Sequence, residues 1–181
     1  MNIWYAGADG VYTFNVFPAE PDERLSQMGS PETLKGLDKV YAIDYIVQET
    51  FEGDLRSGVV APDRLPLALG ADGTVTAKLP VGEDIVANAP AGKGARAKLR
   101  LRLSSLAQGD EVSVKLNGQT LGMAAPTEPL SAEPASAWVE LAPDPNLVTP
   151  GYNLVEIQLF TSRRLDQSVA LDRLDLAVHY E

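Results

Sequence analysis

Cysteine is absent from the 181 residues, and histidine occurs only once, at position 179. Without thiols, the chain has no disulfide framework, no thiolate nucleophile and no cysteine-based metal site. One histidine cannot supply both a catalytic triad and a metal site, and His179 lies on the polar side of an alternating segment, which indicates a surface residue. The missing cysteine does not fix the compartment and is compatible with a secreted or periplasmic parent protein.

Positive charge is also scarce, because 15 basic residues face 25 acidic ones and the formal net charge is −10. Nucleic-acid binding requires a cationic surface, so the composition predicts no nucleic-acid partner. One local exception is the run of Arg96, Lys98, Arg100 and Arg102, which occupy every second position. Alternate residues of a strand share one face, and we interpret this run as the solvated face of a single strand.

Long apolar runs are missing as well, since no segment approaches the roughly 18 residues that span a bilayer. The N-terminus lacks the basic region and the small-residue cleavage site of a signal peptide. We therefore expect no membrane partner. The loop aspartates Asp144, Asp166 and Asp172 show no recognisable calcium-loop spacing, and the sequence predicts neither a metal nor a cofactor.

Glycine and proline are abundant, with 15 and 13 residues, and 45% of the chain is hydrophobic. This balance suits a folded, turn-rich β protein. From residue 54 onwards apolar and polar residues alternate, most clearly at 73–81, 95–103, 111–116, 137–141, 154–161 and 171–180, and less clearly at 55–60 and 67–69. Asn117-Gly118 predicts a tight hairpin. We predict about eight short antiparallel strands, each with one buried face, as in a β-sandwich.

The first 53 residues have a different character. Ser30-Pro31 is a good helix start, residues 22–28 are expected to form a helical turn, and apolar spacings of three and four predict an amphipathic helix over roughly 38–49. Residues 10–16, GVYTFNV, are nearly continuous in β-prone types, as expected for a strand that is covered on both faces. Such a strand must pair with the sandwich, with a second chain or with an absent domain.

Two motifs in the β-rich part resemble a jelly-roll module of the galactose-binding-like type. They are VSVKLNGQTL at residues 112–121 and DPNLVTPGYNLVEIQL at residues 144–159. The resemblance implies that the LNG residues form a hairpin and that the PG-x-N stretch begins a late core strand. It bears on the fold far more than on any ligand.

A second resemblance covers the N-terminal region. WYAGADGVYTFNVF at residues 4–17, followed by MGSPETLKGLDKVYAI at 28–43, is similar to the closing strand and final helical part of TIM-barrel glycoside-hydrolase-like proteins. The resemblance implies a C-terminal region of a longer protein, with residues 1–53 as the end of a barrel and 54–181 as the sandwich. The predicted fold class is mainly β, an antiparallel jelly-roll sandwich with an N-terminal strand-plus-helix segment.

Three residues are candidates for carbohydrate contact: Trp138, Glu140 and Asn15. In the segment AWVEL, Trp138 and Glu140 share the outward face, where an indole could stack on a pyranose ring and a carboxylate could accept from its hydroxyls. The alternative is that Trp138 packs against the N-terminal region. Asn15 could bind a sugar hydroxyl at a barrel strand end, or only satisfy local backbone groups. No pair of carboxylates can be assigned an acid/base role, so the sequence predicts no catalytic residue.

The leading hypothesis is therefore a non-catalytic accessory region of a glycoside-hydrolase-like protein, which braces the barrel or contacts carbohydrate. A self-contained carbohydrate-binding module is the second hypothesis. The third is a structural or interaction domain that dimerises through the N-terminal strand at 10–16.

Overall fold

The computed structural model describes residues 1–11, 22–44, 65–69, 72–127, 135–160 and 169–181. These segments contain nine strands in two antiparallel sheets, three short α-helices and a 3-10 helix at Pro145–Leu147. The strands are β1 (Lys39–Asp44), β2 (Leu67–Ala68), β3 (Thr74–Val81), β4 (Ala95–Leu106), β5 (Glu111–Leu116), β6 (Gln119–Ala124), β7 (Ala135–Leu141), β8 (Gly151–Phe160) and β9 (Ala170–Tyr180). The helices are α1 (Asn2–Tyr5), α2 (Glu23–Gln27) and α3 (Pro31–Leu34). The predicted mainly-β sandwich is confirmed, whereas its jelly-roll winding and galactose-binding-like type stay predictions.

The larger sheet has the order β1-β9-β4-β7, with β2 pairing a further part of β9, and the smaller sheet has the order β3-β8-β5-β6. The two sheets face each other across one hydrophobic core. The alternation along β4 explains why: Leu99, Leu101 and Leu103 are fully buried, while the residues between them point away from the core. In the same way β8 buries Val155 and Ile157 from the other sheet. Each sheet therefore has one core face and one outer face.

The helix predicted over roughly 38–49 is wrong where the structure describes it, because Lys39–Asp44 forms strand β1. Tyr41 and Ile43 are buried in the core while Val40 is exposed, which is the alternation of a strand. Val40, Tyr41 and Ile43 are also β-branched or aromatic types that favour strands. The segment pairs along its whole length with β9, from Lys39 opposite Val178 to Asp44 opposite Arg173.

The predicted start of α3 is confirmed. Ser30 caps the helix by accepting a hydrogen bond from the Thr33 backbone, with Pro31 at the first helical position. The predicted helical turn at 22–28 is confirmed as α2. Most of the strand predicted at 10–16, the strand predicted at 55–60 and the boundary predicted between 53 and 54 lie outside the described residues.

Asn117 and Asn153 give the motifs at 112–121 and 144–159 a structural role, because their side chains connect the two segments. Asn117, in the hairpin between β5 and β6, has a φ of 51° and donates 2.8 Å hydrogen bonds to the Leu147 carbonyl and to Asn153 Oδ1. Its own side-chain oxygen accepts from the Leu154 backbone at 2.8 Å. Asn153 is buried and donates to the Thr149 carbonyl at 2.8 Å. Both side chains satisfy backbone groups where the hairpin meets β8, so they stabilise the fold.

Candidate functional site

The outer face of the five-stranded sheet carries most of the side chains that the sequence singled out. Arg100 lies opposite Glu140 and Arg102 lies opposite Trp138, because β4 and β7 pair in that register. Val139, between the two candidates, is buried in the core, so the predicted outward phase of Trp138 and Glu140 is confirmed. Glu140 is exposed and Trp138 is half-buried. Asn15, the third candidate, lies outside the described residues.

A buried carboxylate organises this face. Asp175 on β9 lies opposite Arg100, and its side chain has 0% exposure. It accepts hydrogen bonds from Arg100 Nε at 2.6 Å and Arg100 Nη2 at 2.9 Å, and from Arg173 Nε at 3.2 Å. The paired geometry with Arg100 is the bidentate arrangement that guanidinium and carboxylate groups favour. The hydrogen bonds that Arg100 donates to Asp175 raise the pKa of Arg100 above its usual value.

The Arg100 guanidinium also contacts Trp138, lying 5.1 Å from the centroid of the indole ring. This distance is within the range of a cation–π interaction, which tryptophan forms best among the aromatic residues. Asp175, Arg100 and Trp138 therefore form a connected stack from a buried carboxylate to a partly exposed ring. We call these three residues the Trp138 stack. The sequence placed Arg100 and Trp138 on outward faces, but it could not show that they touch.

The other charges of the outer face differ in how they are paired. Lys98 bonds Glu140 at 3.2 Å, and Arg96 forms an ion pair with Glu181. The interpretation of the basic run as a solvated strand face is confirmed for Arg96, Lys98 and Arg102, which are exposed, whereas Arg100 is partly buried against Asp175. Within the described segments Arg102 has no carboxylate partner, and its β9 neighbour in register is Arg173. The face therefore offers a donor-rich guanidinium directly beside the half-buried indole.

A second polar cluster, which sequence reasoning missed, surrounds Glu83 in the loop after β3. Its side chain is 1% exposed, and its Oε1 accepts from Lys39 Nζ at 2.7 Å and from the Tyr41 hydroxyl. Its Oε2 accepts from Asn88 Nδ2 at 2.9 Å. Burial, followed by the hydrogen bond that the Tyr41 hydroxyl donates to Glu83, raises the pKa of Tyr41. The sequence signal for this cluster is the two-residue spacing of Lys39 and Tyr41, which places both on one face of a strand. The helix predicted over this segment conceals that signal.

Tyr180 lies close to the same cluster. Lys39 Nζ is 5.8 Å from the centroid of its ring, and burial followed by the charge of Glu83 raises its pKa to about 12. The Tyr180 hydroxyl is buried, and among the described residues it has no hydrogen-bond partner.

His179 is exposed, as predicted, and its Nδ1 lies 3.0 Å from Asp38 Oδ2. In the part of the chain that the structure describes, no group of three or more acidic, histidine or cysteine side chains is placed to hold a metal ion. None of the helices in these segments has the length and apolar character needed to cross a membrane.

No protein-family model matches the chain, and no curated protein matches it in sequence. Comparison with solved structures finds a β-porphyranase of glycoside hydrolase family 86 from Bacteroides plebeius, at 22% identity and a TM-score of 0.43, over 64% of this chain. Dimeric latent PorU from Porphyromonas gingivalis matches at 14% identity and a TM-score of 0.41, over 78% of this chain. The CBM36-1 domain of a multidomain xylanase from the hindgut metagenome of Trinervitermes trinervoides matches at 14% identity and a TM-score of 0.37, over 77% of this chain and 96% of that domain.

The chain spans only 19% of the length of the porphyranase and 12% of that of PorU.

Proposed function

We propose that this chain is a non-catalytic β-sandwich accessory module that contacts carbohydrate through the outer face of its five-stranded sheet. The observation that carries the proposal is the Trp138 stack, which holds a partly exposed indole on an outer sheet face. An indole presents a flat apolar surface to the C–H face of a sugar ring. Glu140 can accept hydrogen bonds from sugar hydroxyls, and Arg102 can donate to their oxygens.

The way the ring is held supports a binding role. Asp175 is fully buried and fixes the Arg100 guanidinium through two hydrogen bonds of 2.6 and 2.9 Å. Arg100 in turn contacts the ring. An aromatic side chain that is already ordered loses little conformational entropy when a ligand stacks on it, so more of the contact energy appears as affinity.

The same geometry argues for binding rather than hydrolysis at this face. A glycosidase needs one carboxyl group as a general acid and a second as nucleophile or base, about 5–9 Å apart across the scissile bond. Here Asp175 is engaged by Arg100, and Glu140 is engaged by Lys98 at 3.2 Å. Both carboxylates are thus held in ion pairs, and we assign the face a contact role only.

We further propose that the module belongs to a larger glycoside-hydrolase-like protein, as the motifs at 4–17 and 28–43 imply. In such a parent the barrel would precede the sandwich along the chain, and β1 (Lys39–Asp44) would belong to the sandwich, where it pairs with β9. The test is the reading frame upstream of Met1. Repeated strand–helix units there would support the proposal, and their absence would overturn this part of it without affecting the binding role of the outer face.

The binding role can be tested by retention on insoluble polysaccharides such as agarose, xylan and cellulose. We expect the wild-type chain to be retained on at least one of them. Removing a stacking tryptophan typically costs about 2 kcal/mol or more, so Trp138→Ala should weaken retention about 30-fold. Tyr152→Ala is a matched control, because Tyr152 is an aromatic residue with 54% exposure on the other sheet. Equal retention of the two variants would refute the assignment of this face.

A further inference from the structure

A pocket of about 420 Å³ lies on a different part of the molecule, between α1 and the loop that follows β3. Its volume is within the range of small-molecule sites in proteins. Trp4 and Tyr5 from α1 line it together with Glu83 and Asn88 from the loop. Glu32 and Lys35, from α3 and the residue after it, also line the pocket, as does the N-terminal Met1. Two aromatic side chains thus meet a small set of convergent polar groups.

The polar part of the pocket is built by the fold rather than by mobile surface groups. Glu83 is almost completely buried, and Lys39, Tyr41 and Asn88 all donate hydrogen bonds to it. Because both carboxylate oxygens are already held, the Glu83–Asn88 pair has a fixed geometry. With 1% exposure the Glu83 side chain fixes its neighbours, and the half-buried Asn88 amide is the polar group of this pair that can face a ligand.

The aromatic wall is held in place by a close backbone contact at Gly82. A Cβ atom at this position would lie 2.7 Å from the Asn2 backbone nitrogen, closer than real Cβ contacts allow. Asn2 also donates from its side chain to the Pro80 carbonyl at 3.0 Å. Only a residue without a side chain lets α1 approach this closely. Trp4 and Tyr5 are therefore positioned by the packing of their helix on the end of β3.

The charges of the pocket define the ligand class. Lys39 neutralises Glu83 in a direct 2.7 Å ion pair, and the lining contains one further acid, Glu32, one base, Lys35, and the N-terminal ammonium of Met1. The site therefore carries a small excess of positive charge, which disfavours a cationic ligand. Aromatic rings beside amide and carboxylate groups suit a molecule with apolar C–H faces and many hydroxyls. We propose that this pocket binds a neutral sugar unit, such as the end of a glycan chain, independently of the Trp138 face.

The two tryptophans of the chain allow the two sites to be tested separately. In a Trp138→Phe background, Trp4 is the only tryptophan, and its emission reports on this pocket. We would titrate that chain with xylotriose, cellotriose and galactotriose as neutral probes, and with a glucosamine trimer as a cationic probe. We expect a saturable change with at least one neutral trisaccharide and a much weaker response to the cationic one. Asn88→Ala should weaken this binding about tenfold, as expected for the loss of one hydrogen bond.

Gly82→Ala should abolish the response, because the added methyl group displaces α1. Gly10→Ala is the matched control, since its Cβ would meet nothing within 4 Å. Far-UV circular dichroism confirms that each variant is folded, and Asn88→Ala tests the pocket even where Gly82→Ala is unstable. No response to any neutral probe, an equal response in Asn88→Ala, or a preference for the cationic trimer would overturn the proposal. Because Trp138 is absent from this background, the emission reports only on the pocket. A failure of the outer face of the five-stranded sheet to bind carbohydrate would therefore be distinguishable from each of these outcomes.

Discussion

Replacing Asp175 by alanine tests the Trp138 stack at its base. The carboxylate is completely buried and accepts from two arginines, whose side chains are 33% and 35% exposed. Breaking a buried ion pair from one side costs about 3–5 kcal/mol, because the other charge is left without a partner. Arg100 and Arg173 can each turn partly towards water, which places the expected loss at the lower end. We expect Asp175→Ala to lower the free energy of unfolding by about 3 kcal/mol.

Asp175→Asn separates the charge from the shape. Asparagine retains one acceptor oxygen of similar position, so part of the hydrogen bonding to Arg100 survives while the charge is lost. Hydrogen bonds to charged groups contribute about 1.5–3 kcal/mol against about 1 for neutral ones, so we expect a loss of about 1.5 kcal/mol. As a control, Lys98→Ala removes a surface ion pair and should change stability by less than about 1 kcal/mol.

Urea unfolding followed by far-UV circular dichroism measures these differences, with an unchanged dependence on urea concentration as evidence that only stability has moved. For a chain of this size, 3 kcal/mol corresponds to a fall in Tm of roughly 6–12 °C. In a Trp4→Phe background, Asp175→Ala should also increase acrylamide quenching of Trp138, because Arg100 no longer holds the ring. A loss below about 1 kcal/mol for Asp175→Ala, together with unchanged quenching, would refute the reasoning.

Three further predictions concern other parts of the fold. Glu83→Gln leaves the largely buried Lys39 without its counter-charge and should cost about 2–3 kcal/mol in urea unfolding. Asn153→Ala removes a buried amide that satisfies backbone groups beside β8, and we expect a loss of about 2 kcal/mol by the same assay. The hydrogen bond from His179, then one from the backbone, lowers the pKa of Asp38 below its usual 3.8, so its stabilisation is present above that pH and is lost as the pH falls. Asp38→Asn should therefore flatten the acid side of the stability profile, and an unchanged profile would contradict this.

The strands that the sequence predicts well are those with one polar and one apolar face. Along β4, leucines alternate with basic residues, and the period of two is unambiguous. The helix prediction over the β1 segment is wrong because Val40, Tyr41, Ala42 and Ile43 are all apolar. This run conceals the alternation of a strand and produces spacings that resemble those of a helix. What decides its structure is pairing with β9, more than 120 residues further along the chain. Local pattern cannot report such a partner.

The same reason limits what the sequence reveals of the sites. The outward phase of Trp138 and Glu140 follows from alternation within one strand. The contact between Arg100 and Asp175 joins residues 75 positions apart, and that between Tyr41 and Glu83 joins residues 42 apart. Their spacing in the sequence carries no signal of either contact. Both become visible only when the register of the strands and the path of the loop after β3 are known.

The most direct test of the central claim is a titration of the Trp4→Phe chain, in which Trp138 is the only tryptophan, with soluble oligosaccharides of any polysaccharide that retains the wild-type protein. If the outer face binds carbohydrate, Trp138 emission should change saturably with the oligosaccharide. The affinity measured calorimetrically should fall about 30-fold in Trp138→Ala, which corresponds to about 2 kcal/mol. Unchanged emission with undiminished binding in Trp138→Ala, or no binding of any carbohydrate by the intact chain, would contradict the proposal.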